Sequence, residues 1–213
     1  MLVRHFMSTQ VTTLTAETTC REAWLLFKEQ RLRRAPVLED GKVLGMLTDR
    51  DLMRVLPWTP GQADGAAEGR DQERPVGSLL AKTLISVTPK DHLEVAAERL
   101  LRHKIGGLPV IQDGQLMGII TESDLFRTFV SLKASAKGTR LTLHWPSARG
   151  RLIAPTRIAL ATGMQLHEYI EHANPSDGTL IGMRVAGRDI ENFIERILDV
   201  GFLLLDREDP RKT

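Results

Sequence analysis

The sequence predicts an α/β protein of the α+β kind: a duplicated β-α-β-β-α unit followed by a smaller βαββαβ module. Three observations lead there. First, sliding the chain against itself by 73 residues aligns Pro36-Val37 with Pro109-Val110, Asp40-Gly41 with Asp113-Gly114, and Gly45 with Gly118. It also aligns Thr48 with Thr121, Asp51-Leu52 with Asp124-Leu125, and Arg54 with Arg127, with no gap from Thr12 to Leu56. Second, each copy alternates short apolar runs with stretches of helical periodicity. Third, a new strand-helix pattern begins at Thr139.

Within the second copy, Ile85 to Val87 reads as a short strand, and Pro89-Lys90-Asp91 opens a helix. Leu93, Ala96, Ala97, Leu100 and Leu101 recur at helical spacing and define its buried face. Cys20, Ala23, Trp24 and Phe27 do the same in the first copy. Two apolar runs follow, Pro36 to Leu38 and Val43 to Leu47, joined through Asp40-Gly41; Ile111, Asp113-Gly114 and Leu116 to Ile120 repeat them. Asp-Gly between such runs signals a two-residue hairpin, because glycine accepts the positive φ that the turn requires. A last helix starts after Thr48 in one copy and after Thr121 in the other. One copy is too small to bury both faces of its sheet, so the two are expected to pack as one domain. Residues 59–74 lack any large apolar side chain and read as a flexible connection between copies spanning 1–58 and 75–132.

In the third module, over 139–208, Arg140 to His144 alternates as a strand does and Leu152 to Thr162 reads as a helix. Gln165 to Ile170 and Leu180 to Val185 read as strands. Ile190, Phe193, Ile194, Ile197 and Leu198 mark one face of a helix that Gly201 ends, and Phe202 to Leu205 closes the set. This order is the ferredoxin-like plan.

Composition narrows the function. With 29 basic and 27 acidic residues, nothing in the total attracts nucleic acid or a membrane surface. No apolar stretch approaches the ~20 residues of a membrane span, and the opening MLVRHFMSTQ lacks a signal-peptide core. The expectation is a soluble cytoplasmic protein. A single cysteine, Cys20, excludes an internal disulfide framework and a four-cysteine zinc site. The six histidines show no paired zinc spacing, and no nucleophile elbow, P-loop or dinucleotide glycine pattern is present. The expectation is therefore neither an enzyme nor a metal protein.

The segments with most chemistry are GMLTDRDL (Gly45 to Leu52) and GIITESDL (Gly118 to Leu125). The plainer reading is a helix cap, in which the Thr hydroxyl accepts an orphan amide hydrogen bond and the acid reaches back. The sharper one is a ligand site. A carboxylate accepts two hydrogen bonds from the vicinal hydroxyls of a ribose, a helix start suits phosphate, and an apolar strand flanks a purine. The two copies differ: Asp49-Arg50 stands in the first where Glu122-Ser123 stands in the second, and Arg50 can pair with phosphate. Arg31, Arg33 and Arg34 precede the first Pro-Val strand, against His103, Lys104, Gly106 and Gly107 in the second. The first site therefore reads as the one for a multiply charged phosphate.

The apolar-Pro-Val strand, the Asp-Gly hairpin and the G-h-h-T-x-x-D-L segment closely resemble CBS domains, whose tandem pair forms a Bateman module; the likeness covers residues 1–132. The resemblance implies that Thr48 and Asp51 in one site, and Thr121 and Asp124 in the other, contact the ribose of an adenine nucleotide. Base contacts would come from Ala35, Pro36 and Val37 and from Leu108, Pro109 and Val110, with Arg50, Ile85 and His103 completing the ligand set. Residues 139–206 resemble an ACT domain, on Gly150-x-Leu152, Gly163-Met164-Gln165-Leu166 and the closing LIGMRVAGRDIENFIERILDVGFLLLD. The family's usual acid and Pro before its turn glycine are Ser147, Ala148 and Arg149 here, and its Asn is Gln165. The combination is similar to bacterial acetoin-utilisation regulatory proteins. It implies a homodimeric regulator that requires no cofactor, senses AMP, ADP, ATP or S-adenosylmethionine, and relays the signal to the ACT-like module or a partner protein. The alternative is a non-catalytic dimerisation scaffold whose Thr-Asp pairs act only as caps.

Overall fold

The structure, a computed structural model, describes residues 1–56, 72–134, 137–146, 153–174 and 178–210. They form two compact units, Met1–Thr128 and Phe129–Thr213.

In the first unit, β1 (Leu14–Thr15), α1 (Cys20–Glu29), β2 (Arg34–Glu39), β3 (Lys42–Thr48) and α2 (Asp49–Val55) make up the first repeat. The second comprises α3 (Leu93–His103), β4 (Gly107–Gln112), β5 (Gln115–Thr121) and α4 (Glu122–Ala134), whose last turns run into the second unit. The strands form one sheet in the order β1-β2-β3-β5-β4. The two hairpins meet at Lys42↔Gln115, residues equivalent under the 73-residue shift, so the repeats are joined about a pseudo-twofold point. The turns repeat as well. Asp40 and Gly41 have φ of 47° and 78°, Asp113 and Gly114 of 52° and 80°, the paired positive values of the expected two-residue hairpin. Arg31 and Lys104, each just beyond a helix end, are left-handed at 54° and 53°.

Two expectations need correction. The leading strand of the second repeat is reduced to a single parallel bridge, Val87↔Val110, where Val87 donates to Pro109 and accepts from Ile111. Leu101 is 77% exposed, because Leu93, Ala96 and Leu100 already form the inward stripe of α3 and Leu101 lies ~100° further round it. The expected connection 59–74 falls mainly outside the described residues, but its last residues are held: the Gln72 and Arg74 carbonyls accept from Arg21 and Cys20 at the start of α1.

Each repeat has its own core, and each core is completed by the other's leading segment. Val76, with Leu79 and Leu80, packs among Leu14, Cys20, Phe27, Val37 and Leu47 of the first repeat. The equivalents Val3, Phe6 and Met7 pack among Leu93, Leu100, Leu108, Val110 and Ile120 of the second. Val3 and Val76 are both fully buried. Joint packing of the copies thus follows from reciprocal exchange of a short apolar segment.

The second unit runs β6 (Thr139–Trp145), α5 (Ile153–Ala161), β7 (Gln165–Asn174), β8 (Gly178–Ala186), α6 (Ile190–Asp199) and β9 (Leu203–Glu208), the expected order element by element. Its antiparallel sheet is ordered β7-β8-β6-β9. Phe193, Ile194 and Ile197 of α6 pack on Leu141, Leu143, Ile181, Met183 and Val185 of the sheet. Leu198, expected on that face, is 42% exposed. Gly201, with φ of 102°, turns the chain out of α6 and lets Phe202 stack on Trp145 at 4.3 Å. Ser147 to Leu152, which carry part of the ACT likeness, lie outside the described residues.

Candidate functional site: a cleft between the repeats

Strand β3 ends at Thr48 because its side chain caps α2. The Thr48 hydroxyl accepts from the Asp51 amide, and the Asp51 Oδ2 accepts from the Thr48 amide at 3.0 Å and the Thr48 hydroxyl at 2.6 Å. Thr121 and Asp124 repeat this at the head of α4, at 2.8 and 2.6 Å. The capping role of both Thr-x-x-Asp segments is therefore realised in full, and the arrangement still leaves a carboxylate oxygen, Oδ1, on each Asp outside the cap.

A cleft of about 1310 Å³ opens beside the first of these caps. Thr48, Asp49, Arg50, Asp51 and Arg54 line it, with Arg33, Arg34, Gly45 and Met46 from the same repeat. The facing wall belongs to the second repeat and its leading segment: Leu79, Ala81, Thr83, Leu84 and Ile85, then His103 to Gly107, and Glu122. Of the expected site residues, Thr48, Arg50, Asp51, Ile85 and His103 come together here. Thr121 and Asp124 do not line this cleft. Ala35, Val37, Leu108 and Val110 have fully buried side chains that belong to the two cores. Pro36 and Pro109 are buried too, facing Met46 and Ile119 across the ladder. What this set can offer a base is backbone, not an apolar side-chain surface.

The cleft is cationic. Arg33, Arg34, Arg50, Arg54 and Lys104 stand against Asp49, Asp51 and Glu122. Arg34 is the most constrained of them. Its guanidinium lies on the backbone of Gly106 and Gly107: a Cβ on Gly106 would meet Nη1 at 2.7 Å, and one on Gly107 would meet Cδ at 2.7 Å. Burial lowers its pKa from the ordinary arginine value, the Glu122 and Asp49 carboxylates push it back up, and Arg33 and Arg50 lower it further. It remains charged, and among the described residues it makes no ion pair. A half-buried cation whose neighbouring carboxylates, Glu122 and Asp49, do not close an ion pair with it has donors left for an incoming anion. Helix α2, seven residues long, contributes little dipole, so the side chains rather than the helix start carry the anion preference expected of this site.

Residues 79–84 escaped the sequence reading because they precede the strand that the likeness emphasises. Their equivalence to residues 6–11 under the 73-residue shift was the available signal.

The sequence model of the CBS domain matches residues 3–57 and 76–131, more than half of the chain. The chain belongs to the CBS-domain family. A CBS domain-containing protein of Bacillus subtilis is 37% identical over 123 residues, 58% of this chain and 81% of that protein. Among solved structures, a Vibrio cholerae protein assigned to acetoin utilisation is 28% identical with a TM-score of 0.53, covering 62% of this chain and 93% of that one. CBSX2 in complex with AMP is 26% identical with a TM-score of 0.53, covering 62% and 98%. None of these three matches indicates a catalytic domain. Among the described residues of this CBS-domain chain, no cluster of three or more His, Cys, Asp or Glu is placed to hold a metal ion, and no helix is long and apolar enough to cross a membrane.

Proposed function

We propose that the cleft of this CBS pair binds an adenine nucleotide or a related adenosyl metabolite, and that the protein is a non-catalytic regulator. The observation that carries this reading is the pairing of Asp51, whose Oδ1 lies outside its cap, with Arg34, a half-buried cation on the same cleft. A ribose diol would donate to Asp51 while its phosphate met Arg34 and Arg50. Thr48 holds Asp51 in place, and Ile85 supplies the apolar contact to the base. The AMP complex of the similar CBSX2 supports the choice of ligand class.

A ligand regulates only if it prefers one arrangement of the repeats over another. Because the cleft is walled by both, a phosphate held by Arg34, which already lies on the Gly106-Gly107 backbone, would bear on both repeats at once. The second unit, ACT-like in its β7-β8-β6-β9 sheet, is the natural receiver of that signal within a cytoplasmic homodimer, and it would pass the signal to a partner protein. A second reading, a dimerisation scaffold, is favoured by the fully satisfied capping boxes at both Thr-x-x-Asp segments.

Thermal unfolding with AMP, ADP, ATP and S-adenosylmethionine separates the two. A bound ligand at about 100 times its Kd adds about 2.7 kcal/mol, and Asp51→Ala, which weakens binding about 10-fold or more, should remove about half of that gain or more. Absence of any shift with all four compounds would overturn the sensor reading in favour of the scaffold.

A further inference from the structure

The two repeats present the same carboxylate in different states. Asp51 is 27% exposed at its side chain, and the nearest cation, Arg54, stands 3.7 Å from Oδ1, beyond hydrogen-bonding range. Asp124 is only 7% exposed, and Arg127 Nη1 donates to its Oδ1 at 2.7 Å. Since Oδ2 already accepts twice from Thr121 and Oδ1 once from Arg127, Asp124 has one acceptor site left, too few for both hydroxyls of a diol.

A second, independent difference lies on the strands. Ser8 is zipped to Ile119 of β5 by two backbone hydrogen bonds of 2.9 Å, one in each direction. The equivalents in the first repeat, Ala81 and Met46, make no such pair and face the open cleft instead. The second site is thus blocked at its carboxylate and at its strand edge, while the first is open at both places.

We propose that Arg127 is a built-in latch that occupies Asp124 in place of ligand and, with the Ser8 strap, limits the CBS pair to one adenosyl ligand per chain. This rests on the reading that Asp51 accepts a ribose. The latch is displaceable in principle: Arg127 is 75% exposed, and an exposed arginine at i+3 holds its carboxylate only weakly. Its replacement leaves the buried core untouched.

Isothermal calorimetry with AMP on the full chain tests it. The wild type should take one AMP per chain. Arg127→Ala, alone or combined with Ser8→Pro (which removes the amide donated to Ile119), should take two, and adding Asp124→Ala should remove the gained site. Two sites in the wild type, or no gained site in either variant, would overturn the latch. A wild type that binds no AMP beside variants that bind one would instead overturn the assignment of Asp51 and leave the latch standing.

Discussion

The first and second repeats share a backbone down to their left-handed residues and share their Thr-x-x-Asp caps, yet they differ at several other polar positions. Helix α1 starts with a closed capping box, Thr19 with Glu22, while His92 and Val95 at the equivalent places leave α3 without a side-chain cap. Arg34 of the first repeat corresponds to Gly107 of the second, and the arginine lies on the glycine. Arg54 and Arg127 are equivalent, but Arg54 stands 3.7 Å from Asp51 where Arg127 donates to Asp124 at 2.7 Å. Duplication kept the apolar positions, which each core needs. Some polar ones diverged, as Arg34 and Gly107 did, while the Asp51–Arg54 and Asp124–Arg127 pairs kept their residues and differ in how the side chains are placed.

The largest test of this comparison is in the cores. Leu47 and Ile120 are equivalent and both fully buried, so truncating either to Ala should cost about 2–5 kcal/mol in urea unfolding. Because the cores exchange segments, each variant should still unfold the first unit in one transition; two separated transitions would show the repeats to be independent. Next comes the carboxylate pair. Asp51→Ala should weaken AMP binding by about 10-fold or more, the value of a hydrogen bond to a charged group. Asp124→Ala should leave affinity unchanged and lower stability by about 1 kcal/mol through its cap. Equal affinity losses would erase the distinction. Gly106→Ala, which forces the Arg34 guanidinium off its seat, should reduce AMP affinity several-fold and flatten its dependence on salt.

The smallest effects are at the helix starts. Thr19→Ala should destabilise by about 1 kcal/mol, and His92→Thr should stabilise by about half as much, both read from the urea midpoint. The Thr19 amide and hydroxyl also hold the Glu22 carboxyl below its ordinary value of 4.5. A lowered folded-state pKa stabilises above the unfolded value and loses that stabilisation as pH falls through the folded one. Acid unfolding of Glu22→Gln should accordingly be less steep below pH 4.5 than that of the wild type. No such difference is expected at Val95.

Much of this was legible in the residues. The 73-residue register located both hairpins, both caps and the helices, since Asp-Gly turns and apolar spacing are local signals. The β-α-β-β-α-β order of the second unit was legible for the same reason. The exchange of Val3 and Val76 was not, because two valines in short segments carry no sign of which core they enter. Nor was the burial of Ala35, Val37, Leu108 and Val110. A Pro-Val strand reads alike whether its side chains face a ligand or a core, and only the layer packed on it decides. The seat of Arg34 was half visible: the sequence showed a cation at one strand start and two glycines at the other, but not that they touch.

The reciprocal exchange has a further consequence for how such a pair is held together. A single repeat separated from its twin would lack the valine that fills its own core and would carry one that belongs elsewhere, so two separate copies would complete each other only by associating. The covalent chain between them replaces that bimolecular encounter with an effective concentration in the millimolar range. Co-expressed as two chains cut within residues 57–71, the halves should still find each other, and a concentration-dependent melting temperature would then measure what the tether contributes.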